Sequence, residues 1–168
     1  MLNISSEFWI HNNNHTEPVY KDLPDRERQA DQFAMAMTYV GLYSKFGNCI
    51  DIGSNIGLWT RYLAKKFQHV YCFEPNETYI NCFNKNITDK NVTLYKNGLS
   101  EKEHYATQEK YSTVLSVEPG NILCKTLDSY KFTDIDFIKI DVDGFEHLVL
   151  SGARNTLQKN NPVINIEL

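Results

Sequence analysis

At 168 residues, 42 % of them hydrophobic, the chain is long enough for one domain with a single core. Its 17 Lys+Arg against 21 Asp+Glu leave a net charge of −4, which removes the electrostatic case for non-specific binding to nucleic acid or to anionic membranes. No apolar run approaches the roughly 20 residues that cross a bilayer, and residues 1–7 lack the basic region and apolar core of a signal peptide, so a cytoplasmic protein is expected.

In chain order, residues 1–24 are polar, with Asn12, Asn13 and Asn14 in a row and two prolines, Pro18 and Pro24. They read as an extended N-terminal arm that Phe8, Trp9 and Ile10 can pin onto a domain spanning residues 25–168. From Asp25, apolar spacing through Phe33, Met37, Val40 and Tyr43 predicts a helix that ends before Gly47. Residues 48–52 read as a strand, 57–67 as a helix, 69–73 as a strand closing on Glu74, 76–86 as a helix and 92–96 as a strand. Residues 101–126 break this rhythm with short β-like pieces at 105–107 and 113–117 around turn residues, an antiparallel flap. A buried strand at 135–140 follows, then a helix from Phe145, a short helix near Thr156 and a final strand at 162–168. Strands alternating with helices predict an α/β domain whose parallel sheet is covered on both faces. Right-handed crossovers then put ligands at the carboxyl ends of the strands. Cys49 and Cys72 fall in buried strands, and Cys82 and Cys124 show no CxxC spacing, so reduced core thiols are expected and zinc is not.

Residues 49–60, Cys-Ile-Asp-Ile-Gly-Ser-Asn-Ile-Gly-Leu-Trp-Thr, are the most informative stretch. A short apolar run carries an acid near its end, then two glycines four apart, then the start of an amphipathic pattern. This is a strand, a tight turn and a helix N-terminus, the arrangement in which an α/β sheet holds a nucleotide-like cofactor. Gly53 and Gly57, having no Cβ, let the backbone approach a ligand. The spacing D-x-G-x-x-x-G departs from the dinucleotide fingerprint G-x-G-x-x-G, which cradles an anionic pyrophosphate. Asp51 ahead of the first glycine suits a ligand with cationic groups, such as the ammonium and sulfonium of S-adenosylmethionine (SAM). Asp51 can also cap the next helix. Glu74, at the end of the second strand, can accept both hydroxyl hydrogens of a ribose. NAD enzymes use the same device, so Glu74 supports a ribose without choosing the cofactor, and a solvated strand-end acid is the alternative. Asn97-Gly98-Leu99-Ser100 follows the third strand, where an adenine would lie, with Leu99 covering the ring and Ser100 bonding it. An ordinary Asn-Gly turn is the alternative there.

Residues 136–147 form the second dense cluster. Lys139 is a cation inside an otherwise apolar strand, and a buried ammonium needs a carboxylate. Asp141 shares its strand face and Asp51 belongs to a neighbouring strand, which favours a structural ion pair over a catalytic amine. Asp141 is placed toward a cofactor's reactive end. Asp143 and Glu146 can orient a substrate or cap the following helix. Asp141, Asp143, His147 and Glu167 include metal-ligand types, but nothing in their spacing fixes a geometry, and no metal is assigned.

Asp51-Ile-Gly-Ser-Asn-Ile-Gly57, Phe73-Glu74-Pro75-Asn76, Asn97-Gly-Leu-Ser100, Lys125-Thr-Leu-Asp128, Ile138-Lys-Ile-Asp-Val-Asp-Gly-Phe-Glu146, Leu150-Ser-Gly-Ala153 and Ile166-Glu167 resemble, in order and spacing, the FkbM family of SAM-dependent methyltransferases. The resemblance runs from about residue 47 to the end. It implies a Rossmann-like methyltransferase domain with about five core strands in the order 3-2-1-4-5, flanked by helices, the flap inserted before the fourth strand. It also implies SAM as cofactor, with contacts at Asp51, Gly53, Ser54, Asn55, Gly57, Glu74, Pro75, Leu99, Ser100 and Asp141. Active-site positions are Asp141, Asp143, Glu146 and Glu167; Asp143 stands where the family usually has the longer Glu. Class I methyltransferases usually continue past the fifth strand, whereas this sequence stops at Leu168. A sheet lacking strands 6 and 7 is therefore expected, its open edge favouring a homodimer or aggregation.

The resulting expectation is O-methylation of a small molecule or sugar by in-line displacement at the sulfonium methyl, with Asp141 as base and Glu167 second. An Asn-Pro-Pro-Tyr-type motif is absent after the fourth strand, which with the negative charge argues against a nucleic-acid partner; no membrane partner is expected. Two alternatives stay open, a shortened SAM-binding module without turnover and an NAD-dependent oxidoreductase. The latter lacks the third glycine of its fingerprint.

Overall fold

The computed structural model describes residues 2–5, 8–10, 30–108, 115–116 and 120–167. Inside the stretch read as an arm, β1 (Leu2–Ser5) and β2 (Phe8–Ile10) pair antiparallel with Leu2 opposite Ile10, so this part is a hairpin. The rest of the arm, the helix start at 25–29 and part of the piece at 113–117 lie outside the described residues. Helix α1 (Ala30–Tyr43) turns Ala36 and Val40 inward, and Phe33 meets Trp59 edge-on at 5.4 Å. The chain leaves α1 where Gly47 predicted. There the Asp136 carboxylate accepts from the Ser44 hydroxyl at 2.7 Å and the Gly47 N–H at 2.8 Å, tying the helix exit to the distant strand that carries Asp136.

β3 (Asn48–Ile52), β4 (His69–Phe73), β5 (Val92–Tyr95), β10 (Ile135–Ile140) and β11 (Val163–Ile166) form the central sheet, all parallel, in the order β11-β10-β3-β4-β5. Counting these core strands alone, this is the expected 3-2-1-4-5 order read from the other edge. The chain starts at the centre with β3, runs outward to β5 and returns on the other side of β3. The gap between β3 and β10 is thus the switch point where such sheets take ligands.

Alternation along the strands splits the core between two faces. Cys49 and Phe137 face a cluster with Val40, Trp59, Leu63 and Phe67, while Ile50, Ile52, Ile138 and Ile140 face Phe73, Leu127 and Val149. All four cysteines are buried and free, as expected. The same alternation puts Asp51 and Lys139 on one face, in register with each other.

Helix α2 (Thr60–Leu63) is shorter than the predicted 57–67, because Gly57 sits at φ +92°, outside helical geometry, and residues 64–66 turn. Helix α3 (Glu77–Asn86) starts as expected, with the Asn76 side chain accepting from the Thr78 N–H at 2.8 Å. The hairpin strand β2 lies against α3.

β6 (Gly98–Leu99), β7 (His104–Gln108), β8 (Leu115–Ser116) and β9 (Ile122–Lys125) make a second sheet in the order β6-β9-β7-β8. β7 is antiparallel to both β8 and β9, but β9 pairs parallel with β6. The predicted antiparallel flap is therefore a mixed sheet, because β9 runs back alongside the strand that leaves β5.

A 3-10 turn (Leu127–Tyr130) follows, then α4 (Glu146–Ser151) and α5 (Arg154–Asn160). Asp128 accepts from the backbone N–H groups of Asn155 and Thr156 and from both their side chains at 2.7–3.0 Å, capping α5. Burial works against its charge, yet those hydrogen bonds hold its carboxyl below the usual range. Among the described residues no helix is long and apolar enough to cross a membrane.

Candidate cofactor site at the carboxyl edge of the sheet

The ends of β3, β4 and β10 and the start of β6 converge on one cleft. Gly53 follows β3; its N–H donates to the Phe73 carbonyl at 3.0 Å, and its own carbonyl accepts from Lys139 Nζ at 2.9 Å. Its φ is +75°, and an added Cβ would fall 1.8 Å from the Asp141 carbonyl oxygen. At Gly57, φ +92°, the Cβ would fall 2.7 Å from Ile87. Approach of protein to protein accounts for both glycines, a different reason from the close approach of a ligand expected from the sequence. Gly53 lines the cleft; Gly57 does not.

Asp51 is fully buried. Its Oδ2 accepts from the Thr60 hydroxyl at 2.6 Å, and its Oδ1 lies 3.5 Å from Lys139 Nζ, which also pairs with Asp141 Oδ2 at 3.2 Å. The expected ion pair is thus a three-member cluster. Burial alone would depress the Lys139 ammonium, but Asp51 and Asp141 more than offset it and hold its pKa above the ordinary value. Asp51 serves the wall of the cleft from behind, since it supports α2 and Lys139 and does not line the cleft itself.

Glu74 lines the cleft at 4 % exposure. Its two oxygens accept from the backbone N–H groups of Asn55 (2.9 Å) and Asn76 (2.8 Å). Asn55 reaches it by adopting a left-handed conformation, φ +50°. Burial outweighs these hydrogen bonds and lifts the Glu74 pKa to about 7. Asn55 Oδ1, also at the cleft, is buried without a hydrogen-bond partner among the described residues, an acceptor that a ligand's donor can satisfy.

Of the other predicted residues, Pro75, Leu99, Asp141 and Asp143 line the cleft. Ser54 and Ser100 are buried outside it; the Ser54 hydroxyl donates to the Phe73 carbonyl at 3.4 Å and the Ser100 N–H to Lys125 at 2.8 Å. Glu146 turns back on its own loop, accepting from the N–H groups of Val142 and Gly144 at 3.1 Å. It stabilises the turn after β10 and does not line the cleft. Glu167 also lies outside the lining; its N–H donates to the Ile140 carbonyl at 3.1 Å, and desolvation together with the Asp141 carboxylate raises its pKa. Among the described residues no group of three or more His, Cys, Asp or Glu is arranged to hold a metal ion.

Sequence reasoning missed the apolar wall, Ile52, Phe73, Val142 and Phe145. Strand-end register could have pointed to Ile52 and Phe73, which precede Gly53 and Glu74. Asn97 completes the far end, its Oδ1 accepting from the Tyr130 hydroxyl at 2.8 Å and its Nδ2 donating to the Gly98 carbonyl at 2.7 Å. Gly98–Leu99 is a paired strand, so the plain-turn alternative for this segment does not hold.

The cleft is open, with some 590 Å³ of empty space, solvent-facing volume included. Asp51, Glu74, Asp141, Asp143 and Glu167 gather here around Lys139, the one cation at this site among the described residues. Acid excess, a ribose-ready carboxylate and an apolar wall fit a nucleoside that carries positive charge.

The family described as the methyltransferase FkbM domain matches residues 51–168. Solved structures with a similar fold include a methyltransferase FkbM from Methylobacillus flagellatus KT (20 % identity, TM-score 0.55, covering 74 % of this chain and 34 % of that one). A precorrin 8W decarboxylase from Methanobacterium thermoautotrophicum is also similar (17 %, TM-score 0.52, 82 % and 61 %). So is an rRNA methylase from Streptococcus thermophilus (17 %, TM-score 0.50, 74 % and 62 %). The chain thus spans about a third of the length of the first and about three-fifths of the other two. No curated protein matches the sequence.

Proposed function

The chain belongs to the FkbM methyltransferase family, and from that premise we propose that it transfers a methyl group from SAM to a hydroxyl of a small molecule or sugar. The family match favours a methyl donor, and the observation that carries the nucleoside part of this reading is Glu74, a buried carboxyl group at the lip of β4 whose two oxygens are fixed by backbone N–H groups. Each oxygen keeps a further lone pair for a ribose hydroxyl. Leu99, Phe73 and Ile52 offer an apolar wall for a purine, and the acid excess around Asp141 suits a cationic amino-acid end. When bound, SAM supplies a methyl group on a positively charged sulfonium.

The chain's own contribution is to position and to accept a proton. Asp141, at the lip of β10, takes the acceptor's hydroxyl proton on a carboxylate oxygen, and the adjacent Lys139 ammonium keeps that carboxylate oriented. Glu167, next to Asp141, is the second candidate. Asp143, exposed beside the cleft in a left-handed turn, is free of the loop-closing role that occupies Glu146 and remains the candidate for orienting the acceptor. In this reading residues 25–168 act as the SAM-binding domain and 1–24 as an arm against it. Two copies pair through β11, which has a neighbour on one side only among the described residues and stands beside exposed Met35, Tyr39 and Ile164.

Thermal unfolding with SAM, S-adenosylhomocysteine and NAD in parallel tests the cofactor. A ligand at a hundredfold its Kd stabilises a one-site protein by about 2.7 kcal/mol. A shift with SAM and S-adenosylhomocysteine but not NAD, lost in Glu74→Ala, is the expected result. A shift with NAD alone would replace the reading with an oxidoreductase. Binding without transfer to any hydroxyl acceptor would leave a SAM-binding module.

A further inference from the structure

Lys139 does not itself line the cleft, yet it holds both loops that shape it. Its Nζ donates to the Gly53 carbonyl at 2.9 Å and lies 3.2 Å from Asp141 Oδ2 and 3.5 Å from Asp51 Oδ1. Gly53 and Asp141 line the cleft from opposite sides of the switch point, whereas Lys139 and Asp51 stand behind them. The two loops are in close contact already, since a Cβ on Gly53 would run into the Asp141 carbonyl oxygen. The Gly53 N–H is bonded to the β4 residue Phe73 and the Asp141 N–H to the β3 residue Ile52. The ammonium therefore fastens the Gly53 carbonyl to the strand that delivers Asp141. An ordinary buried ion pair would need only the carboxylates; the bond to a cleft-lining carbonyl is the additional feature.

We propose that Lys139 is a positioning residue for the cofactor, setting the spacing of the Gly53 and Asp141 walls and the charge between them. This rests on the reading of the cleft as the SAM site. The ammonium faces Asp51 from β3, Cys72 and Glu74 from β4 and its end, Asp141 from the end of β10 and Glu167 after β11. Its charge favours the ionised forms of Glu74 and Glu167. Removing it loosens the wall and lets Glu74 hold its proton to higher pH, which blunts the acceptor for a ribose.

The test compares the wild-type protein with Lys139→Met, using S-adenosylhomocysteine titrated calorimetrically from pH 6 to 9 and amide hydrogen exchange without ligand. Expected results are at least a tenfold loss of affinity at neutral pH, an upward move of the pH at which affinity is half lost, and faster exchange confined to residues 53–57 and 141–145. Should Lys139→Met fail to fold, it is made together with Asp51→Asn, which removes the stranded buried charge, and compared with Asp51→Asn alone. The same tenfold loss and the same local exchange are expected there. Unchanged affinity and exchange, or exchange that rises evenly across the sheet, would reduce Lys139 to a structural ion pair. A wild-type protein that binds no S-adenosylhomocysteine would defeat the SAM reading, and the exchange pattern would still decide whether Lys139 sets the wall.

Discussion

The carboxyl edge of the sheet and the groove between α1 and β11 invert each other's chemistry. At the carboxyl edge the ionisable side chains of Asp51, Glu74 and Lys139 are buried, each held by hydrogen bonds or ion pairs. Along α1 and β11, Met35, Tyr39, Leu42 and Tyr43 are apolar or aromatic and at least half exposed, and Ile164 shows 39 % of its surface. Burying charge is unfavourable unless every group is paired, so the first region is defined by the partners it has collected. Exposing apolar surface is unfavourable until something covers it, so the second is defined by what it has yet to meet. Substitutions should therefore act strongly and specifically in the first region and weakly in the second.

The largest effect is expected at Gly53→Ala, because its Cβ would meet the Asp141 carbonyl at 1.8 Å from a backbone at φ +75°. Left-handed strain and overpacking together cost about 3 kcal/mol or more, which urea denaturation will read as a much lower midpoint; an unchanged midpoint would refute the packing account of the motif. Glu74 sharpens the contrast through pH. Its pKa is about 7 in the folded chain against an ordinary value of 4.5, so the folded state holds the proton more tightly. The stability this proton contributes is fully present below the unfolded pKa and lost as pH rises through about 7. Glu74→Gln removes that dependence, so the wild-type advantage should shrink between pH 5 and 8 by at most about 3 kcal/mol. A difference that stays constant with pH would show that folding does not raise the Glu74 pKa. Ligand affinity should move the other way in the same window, rising as Glu74 ionises and accepts ribose hydroxyls.

Tyr130→Phe is a smaller probe of the same region, removing the 2.8 Å bond to Asn97 at the cost of about 1 kcal/mol. S-adenosylhomocysteine affinity should fall severalfold with it if the Asn97 end of the cleft takes part. The smallest effect is expected in the groove. Ile164→Lys should change unfolding stability by no more than about 0.5 kcal/mol, while sedimentation, if two copies pair through β11 as proposed, shifts toward monomer. A large loss of stability there would make β11 part of the core and erase the contrast between the two regions.

Much of the fold was legible because its signals are local. Short apolar runs with an acid at their ends identified β3, β4 and β10, and the stretch from Asn76 reads as the start of α3. The start of α2 was less legible, since Gly57 takes a positive φ in the fold and the helix begins only at Thr60. The mixed character of the second sheet also escaped, because β9 owes its parallel partner to where β6 happens to lie.

By itself the sequence determined which residues are charged at the strand ends and that Lys139 needs an acid, since period-two alternation assigns faces without any knowledge of neighbours. It also carried the family. Only the tertiary structure decided which of those residues reach the cleft. Ser54 and Glu146 carry the right chemistry but turn toward nearby backbone, and Ser100 is buried outside the cleft, while Asn97, Val142 and Phe145, which the motifs contain without marking their role, become walls of the cleft only in the fold. The reason is separation along the chain. Lys139 and the Gly53 carbonyl are 86 residues apart, and their contact exists only once the crossover has set β10 beside β3.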